Sequence, residues 1–186
     1  MIVKQLIAEN LLKYSRLELK DLPEQALIGV SGPNESGKTA IAETVCFALF
    51  GRTFSYNPEQ FTKAIKWGQP AGSANLTFIG RDGRSYVVTR YVDTDGNHNA
   101  RLSLLDSESA LATGVADVNN RVIEACGFDY KEYIDSFYLA QREISMPHAQ
   151  SGMVKDLLGI EDLDIVSDAL KREVELNREA ISDLQE

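Results

Sequence analysis

Three hydrophobic periods divide the chain. From Ala74 to Ile79 and from Tyr86 to Val92, apolar and polar positions alternate, the period of a strand with one buried face. Asp82-Gly83 between them is a hairpin-turn dipeptide, Asp95-Gly96 marks the next turn, and Arg101–Leu105 supplies a third strand, so an antiparallel meander is predicted. Ahead of it, residues 2–8 and 17–19 are apolar-rich and read as two short strands joined by the polar stretch Glu9–Arg16. A turn at Asp21-Leu22-Pro23-Glu24 leads into Ala26–Val30, a short apolar run of the kind expected of a buried strand. Thr39–Phe50 carries apolar residues at helical spacing (Ile41, Val45, Ala48, Leu49), and Gly51 is a helix stop. Val115–Cys126 is a second helix by pattern. Residues 52–72 show no period and are expected to form a loop with a short helix. Phe137–Gln141 is read as a short strand or loop, and Met153–Leu158 as a short helix ending at Gly159.

From Leu163 the period becomes seven. Leu163, Leu170, Asn177 and Leu184 share one seam position, and Ser167, Val174 and Ile181 the other, with charged flanks, which fits the start of a coiled coil. A single amphipathic surface helix is the alternative. The run reaches Leu184-Gln185-Glu186 without a stop signal, the pattern expected inside a longer helix.

The chemistry lies between the apolar run and the first helix. Gly32-Pro33-Asn34-Glu35-Ser36-Gly37-Lys38-Thr39 matches G-x-x-x-x-G-K-[ST], the phosphate-binding loop. Glycines let successive backbone N–H groups turn into one concavity, and the following helix N-terminus adds partial positive charge. Lys38 is expected to reach the β- and γ-phosphates of ATP, and the Thr39 hydroxyl to ligate Mg²⁺. A complete hydrolytic site also needs a carboxylate at the end of a second buried strand. The best match is Asp106 after Leu102-Ser103-Leu104-Leu105, but its place in the meander suits hairpin pairing better. Half of the expected ATPase site is therefore missing from these residues.

Composition narrows the setting. The 186 residues carry 28 acids and 19 bases, a net charge of −9, which is no signature of nucleic-acid binding. Lys63 and Lys66 with Arg52 are the nearest thing to a basic patch, read first as a solvated face. No apolar run approaches the length needed to span a bilayer, and Met1–Asn10 lacks the layout of a secretory signal, so a cytoplasmic protein without membrane contact is expected. Cys46 and Cys126 are expected to be buried thiols, His98 and His148 to be solvated, and Trp67-Gly68 to be a packed turn.

Met1–Asn10, Gly32–Thr39 and Phe137-Tyr138-Leu139-Ala140-Gln141-Arg142-Glu143-Ile144, taken in order, resemble the N-terminal lobe of an SMC-like ATPase head, most of all the SbcC-type double-strand-break repair ATPases or related AAA-type proteins of bacteria. The resemblance implies an α/β fold of P-loop NTPase (ABC-type head) class, with residues 1–160 as the N-terminal lobe and 161–186 as the base of a coiled-coil helix. It implies that Gly32 to Thr39 bind ATP and that Gln141 is the glutamine-loop residue, touching Mg²⁺ and the attacking water. It places Lys13 near the adenine or ribose, and Arg52 near nucleotide or DNA. Implied partners are the C-terminal lobe of the same ATPase, which supplies the missing carboxylate, a second head in a homodimer, DNA and a nuclease subunit. The chain departs from the pattern at Arg142, where such families have Gly after the loop glutamine, and at Asn34-Glu35, where they have Asn-Gly. The zinc-hook Cys-x-x-Cys of the repair ATPases is absent from these residues. Two other readings remain at this level: a self-contained small P-loop kinase using Asp106, and a non-hydrolysing nucleotide-sensing scaffold.

Overall fold

The computed structural model describes residues 1–56, 58–137 and 171–172, and the chain divides into compact units Met1–Tyr133 and Ile134–Glu186. Tyr133–Phe137 forms one wide π-helical turn, and residues 171–172 are helical. The elements expected at Phe137–Gln141 beyond its first residue and at Met153–Leu158 lie outside the described residues, as do His148 and all seven coiled-coil seam residues.

The first unit is built on one six-stranded sheet. Its strands are β1 (Ile2–Leu11), β2 (Tyr14–Leu19), β3 (Ala71–Ile79), β4 (Ser85–Asp93), β5 (His98–Leu104) and β6 (Ala110–Thr113), in spatial order β2-β1-β3-β4-β5-β6. Every neighbouring pair is antiparallel. The predicted turns at Asp82-Gly83 and Asp95-Gly96 join β3, β4 and β5. The stretch Glu9–Arg16 is not a connecting loop: Glu9 and Arg16 sit opposite each other in the β1–β2 ladder, 2.7 Å apart as an ion pair, and the chain reverses over Leu12-Lys13. Its polar residues mark the solvent side of the strands. β6 is the strand that patterning misses, because four residues at a sheet edge carry too little alternation to be seen.

One face of the sheet is apolar. Leu6, Ala8, Leu76, Phe78, Tyr86, Val88, Val92 and Leu102 are buried on it. Helix α1 (Lys38–Phe50) covers β1, β3 and β4, and α2 (Val115–Cys126) covers β5 and β6. In its second half α1 buries Cys46, Phe47, Ala48, Leu49 and Phe50 around nearly its whole circumference, as a helix enclosed on several sides must. Burial pushes the thiols of Cys46 and Cys126 up to about 12, so both are inert core residues, as expected. At Gly72 a side chain is excluded outright: a Cβ there would lie 2.6 Å from the Asn10 carbonyl oxygen on β1.

The sheet grips α1 through Arg90. This β4 residue is fully buried, its Nε donating to the Ala48 carbonyl at 2.8 Å and its Nη2 to the Leu49 carbonyl and Asn119 Oδ1, both at 2.6 Å. The last turn of α1 contains no basic residue, so Arg90 is the cation that meets the negative end of the helix dipole. Burial lowers its pKa to about 10, which still leaves it charged at neutral pH.

Three expectations fail. Ala26–Val30 forms no strand. Leu27 is fully exposed and Ile28 and Val30 about half exposed, because all six strands of the described sheet pair with one another and none runs beside this segment. Trp67 does lie in a turn, but it is 97 % exposed instead of packed. His98 is not solvated: its ring lies 5.9 Å from that of Phe47 and 5.2 Å from that of Phe61, and desolvation first, then the charge of Arg90, lowers its pKa to about 4.

The buried arginine and histidine can each be tested by substitution. Arg90→Met leaves the carbonyls of Ala48 and Leu49 without their donor, and urea unfolding should register a loss of about 2–4 kcal/mol. His98 stays neutral in the folded state down to about pH 4, whereas the unfolded imidazole takes a proton near 6.5. Its contribution is therefore intact above about pH 6.5 and is lost as pH falls toward 4. The stability difference between wild type and His98→Phe should shift in favour of the variant across that window; a difference independent of pH would refute the assignment.

Candidate functional site

The phosphate-binding loop enters α1 at Gly37, whose φ of +101° is open to glycine and strained for other residues. No side chain caps the helix N-terminus and its first turn holds no acid, so the first N–H groups of α1 face no competing carboxylate from their own turn. Glu35 adopts a φ of +62°, left-handed backbone where glycine costs nothing and a glutamate costs about 1 kcal/mol. This is the position at which the sequence departs from Asn-Gly, and the backbone keeps the glycine-type conformation despite the side chain.

Two neighbouring residues of the β1–β2 hairpin hold the loop. Lys13 Nζ donates to the Glu35 carbonyl at 2.6 Å, and the Tyr14 hydroxyl donates to the Gly37 carbonyl at 2.9 Å. Tyr14 also packs so closely that a Cβ on Gly37 would lie 2.9 Å from its hydroxyl oxygen. Sequence reasoning singled out Lys13 but missed Tyr14, for which no motif speaks. Lys38 folds back over the loop, its Nζ donating to the Gly32 and Pro33 carbonyls at 2.8 and 2.7 Å. The ammonium is thereby held across the mouth of the concavity by the loop it serves. Asn34 and Ser36 are exposed, and the half-buried Lys38 and the Thr39 hydroxyl stand side by side at the first turn of α1.

The remaining candidates fall elsewhere. Arg52 follows the C-terminus of α1, about 20 Å from the loop at 1.5 Å rise per residue, with its guanidinium stacked 3.7 Å from the Tyr130 ring centroid. Gln141 lies outside the described residues. Asp106 is exposed in the turn between β5 and β6. The one carboxylate of α1, Glu43, is buried and bonded to the Ser55 hydroxyl, and desolvation raises its pKa. Among the described residues no cluster of three His, Cys, Asp or Glu side chains could hold a metal. Among the described residues the site is a loop with a cation and a hydroxyl, and its own Glu35 is not the strand-end carboxylate a hydrolytic site needs.

A family model described as an AAA domain matches residues 5–185. The chain is 30 % identical over 169 residues to a "DNA double-strand break repair Rad50 ATPase" of Methanocaldococcus jannaschii, covering 88 % of this chain and 16 % of that protein. It is 28 % identical over 148 residues to an SbcCD nuclease component, SbcC, of Deinococcus radiodurans, covering 75 % and 16 %. The chain thus spans about a sixth of the length of these curated relatives. A solved structure described as "Structural biochemistry of ATP-driven dimerization and DNA stimulated activation of SMC ATPases" superposes with a TM-score of 0.63 at 17 % identity, over 88 % of this chain and 99 % of that one. The "SmcHead bound to the C-winged helix domain of ScpA" superposes with a TM-score of 0.51 at 16 % identity, over 70 % and 42 %. The fold is that of an SMC-type ATPase head fragment, of P-loop NTPase class, as the sequence led one to expect.

Tyr14→Phe removes the hydroxyl that pins the Gly37 carbonyl while keeping the ring. Stability should fall by about 1 kcal/mol, and ATP affinity, followed with a fluorescent analogue, by about three- to tenfold.

Proposed function

The chain belongs to the AAA domain family, whose model matches it over residues 5–185, and on that premise we propose that it is the ATP-binding N-terminal lobe of an SMC-like ATPase head acting in DNA repair or chromosome maintenance. The observation that carries this reading is the loop itself: Lys38 poised over the Gly32 and Pro33 carbonyls at the uncapped N-terminus of α1, with Lys13 and Tyr14 holding the loop from the first hairpin. In this reading the residues from Gly32 to Thr39 wrap the triphosphate with backbone N–H groups. The Lys38 ammonium leaves its two carbonyls for the β- and γ-phosphates. Lys13, at the rim of the loop, faces the nucleoside side.

The Thr39 hydroxyl, at the first turn of α1, suits a hard cation, and Thr39 and Gln141 would hold Mg²⁺. When bound, that ion neutralises charge on the phosphate oxygens. Hydrolysis requires a strand-end carboxylate that the described residues do not bring to the loop, so in this reading ATPase activity belongs to the complete head. The exposed run Ala26–Val30 supports the same division of labour. Its apolar side chains and its unladdered backbone fit a strand that pairs with the C-terminal lobe of the same protein. The proposal extends to a second head as homodimer partner, to DNA and to a nuclease. These rest on likeness to a repair ATPase, to a nuclease component and to a structure described by ATP-driven dimerization. A cytoplasmic setting belongs to the same reading; among the described residues no helix is long and apolar enough to cross a membrane.

The deciding experiment measures Mg²⁺-ATP binding and turnover by this chain, alone and mixed with the C-terminal lobe of its protein. Binding by the chain, turnover in the mixture alone, and about 10- to 100-fold weaker binding on Lys38→Ala are expected. Turnover at full rate by the 186 residues alone would overturn the split-site reading and return attention to Asp106.

A further inference from the structure

At the end of α1 remote from the phosphate-binding loop, the first unit contains a cavity of about 520 Å³, in the range of small-molecule sites. Phe50, Phe61 and Tyr130 form its apolar walls, and Arg52, His98 and Asn119 its polar ones. Three buried nitrogens lie in or beneath these walls without a hydrogen-bond partner: Arg52 Nε, His98 Nε2 and Arg90 Nη1. Arg90 is the fully buried residue of the three. Its free Nη1 lies directly under the cavity wall at Gly51, 2.8 Å from where a Cβ on that glycine would stand, and His98 Cε1 is 2.7 Å from the same point. Gly51 is thus the thin part of the wall, in a left-handed conformation with φ of +70°.

The chemistry of this lining is one-sided. Arg52 and Arg90 are donors without acceptor capacity, and Asn119 has spent its oxygen on Arg90, which leaves its amide N–H₂. Lys131 adds a further cation to the lining. One carboxylate, Asp129, also lines the cavity; its Oδ1 accepts from the Glu132 backbone N–H at 2.8 Å in a capping box. Three of the last four α1 carbonyls, which would oppose an anion, are held: Arg90 takes those of Ala48 and Leu49, and the Gly51 N–H takes that of Phe47. Arg52 Nε is the unpaired donor that belongs to the lining itself, and leaving such a donor buried costs about 1–3 kcal/mol, a cost that an acceptor-rich ligand relieves.

We infer that this cavity is a second anion site, separate from the phosphate-binding loop, that takes a small molecule with an oxyanion head on an aromatic or apolar body. The head lies against Arg52, Asn119 and the Gly51 wall above Arg90. The body fills the space between Phe61 and Tyr130. Arg52 is already stacked on Tyr130 at 3.7 Å, so its guanidinium plane is oriented before a ligand arrives. This gives Arg52 a binding role that does not depend on nucleotide at the loop.

The test is titration of the ¹⁵N-labelled chain with phenyl phosphate, benzoate and neutral benzamide, following the amides of Gly51, Asn119 and Tyr130 in one set and those of Ser36, Gly37 and Lys38 in another. One or both anions should shift the first set, and benzamide should not; which anion acts distinguishes a phosphoryl from a carboxylate head. Lys38→Ala should leave these shifts unchanged, and Arg52→Gln should weaken them by about tenfold or more while sparing the second set. Shifts confined to the loop amides, or benzamide acting as well as the anions, would overturn the inference. The wild-type comparison of the three probes decides this even where Arg52→Gln fails to fold.

Discussion

A buried guanidinium that, among the described residues, meets two helix carbonyls and an amide and no carboxylate is the constraint around which this lobe is arranged. Arg90 is placed by β4 in the centre of the apolar face, and what balances it is the negative end of α1. The helix cannot slide or tilt without stranding that charge away from its carbonyls, an outcome costing several kcal/mol. The opposite end of the same helix is the phosphate cradle. One rigid element of 13 residues therefore carries a buried cation bonded to its carbonyls at its C-terminus and an uncapped, acid-free N-terminus, and the sheet fixes the position of both. The loop is held in turn by Lys13 and Tyr14 from the strand pair at the sheet edge. Two independent attachments, one at each end of α1, set where phosphate can bind.

The loop shows how a polar concavity is kept formed by its own residues. Lys38 is paired with two carbonyls, so its charge is solvated by the loop and not left to bulk water. In the proposed ATP-binding role, engaging a triphosphate would exchange those bonds for stronger charge-assisted ones. Glu35 at a positive φ marks the local strain in this arrangement, and its carbonyl is the one Lys13 holds.

Much of this was legible in the sequence, for reasons that also explain the failures. The helix Val115–Cys126 was readable to its end residues, because its apolar period is strong and Gly127 stops it. The hairpins at Asp82-Gly83 and Asp95-Gly96 were readable because turn chemistry is local. The motif Gly32–Thr39 stood out because its residue types suit contact with phosphate, and the structure sets it at the start of α1. The fate of Ala26–Val30 was not readable, since an apolar run states that a strand wants a neighbour but not whether these 186 residues contain one. Nor was the environment of His98, which sits in a polar turn sequence and is enclosed only when α1 and the segment carrying Phe61 pack against it. Arg90 is the sharpest case. On an alternating strand its position predicts an inward side chain, and nothing in the pattern names the helix end waiting for it.

The exposed Leu27, Ile28 and Val30 also carry a consequence in time. Ribosomes add about 5–20 residues per second, and in the proposed head the strand that would cover this segment belongs to the C-terminal lobe, which is made later. Until that lobe is made, the nascent chain would present an apolar, hydrogen-bond-hungry ribbon to solvent, while the six strands of its sheet pair among themselves. Biogenesis of such a protein then depends on whatever shields that ribbon until the far end of the chain returns, and an identical ribbon on a neighbouring nascent chain is the wrong partner most readily at hand.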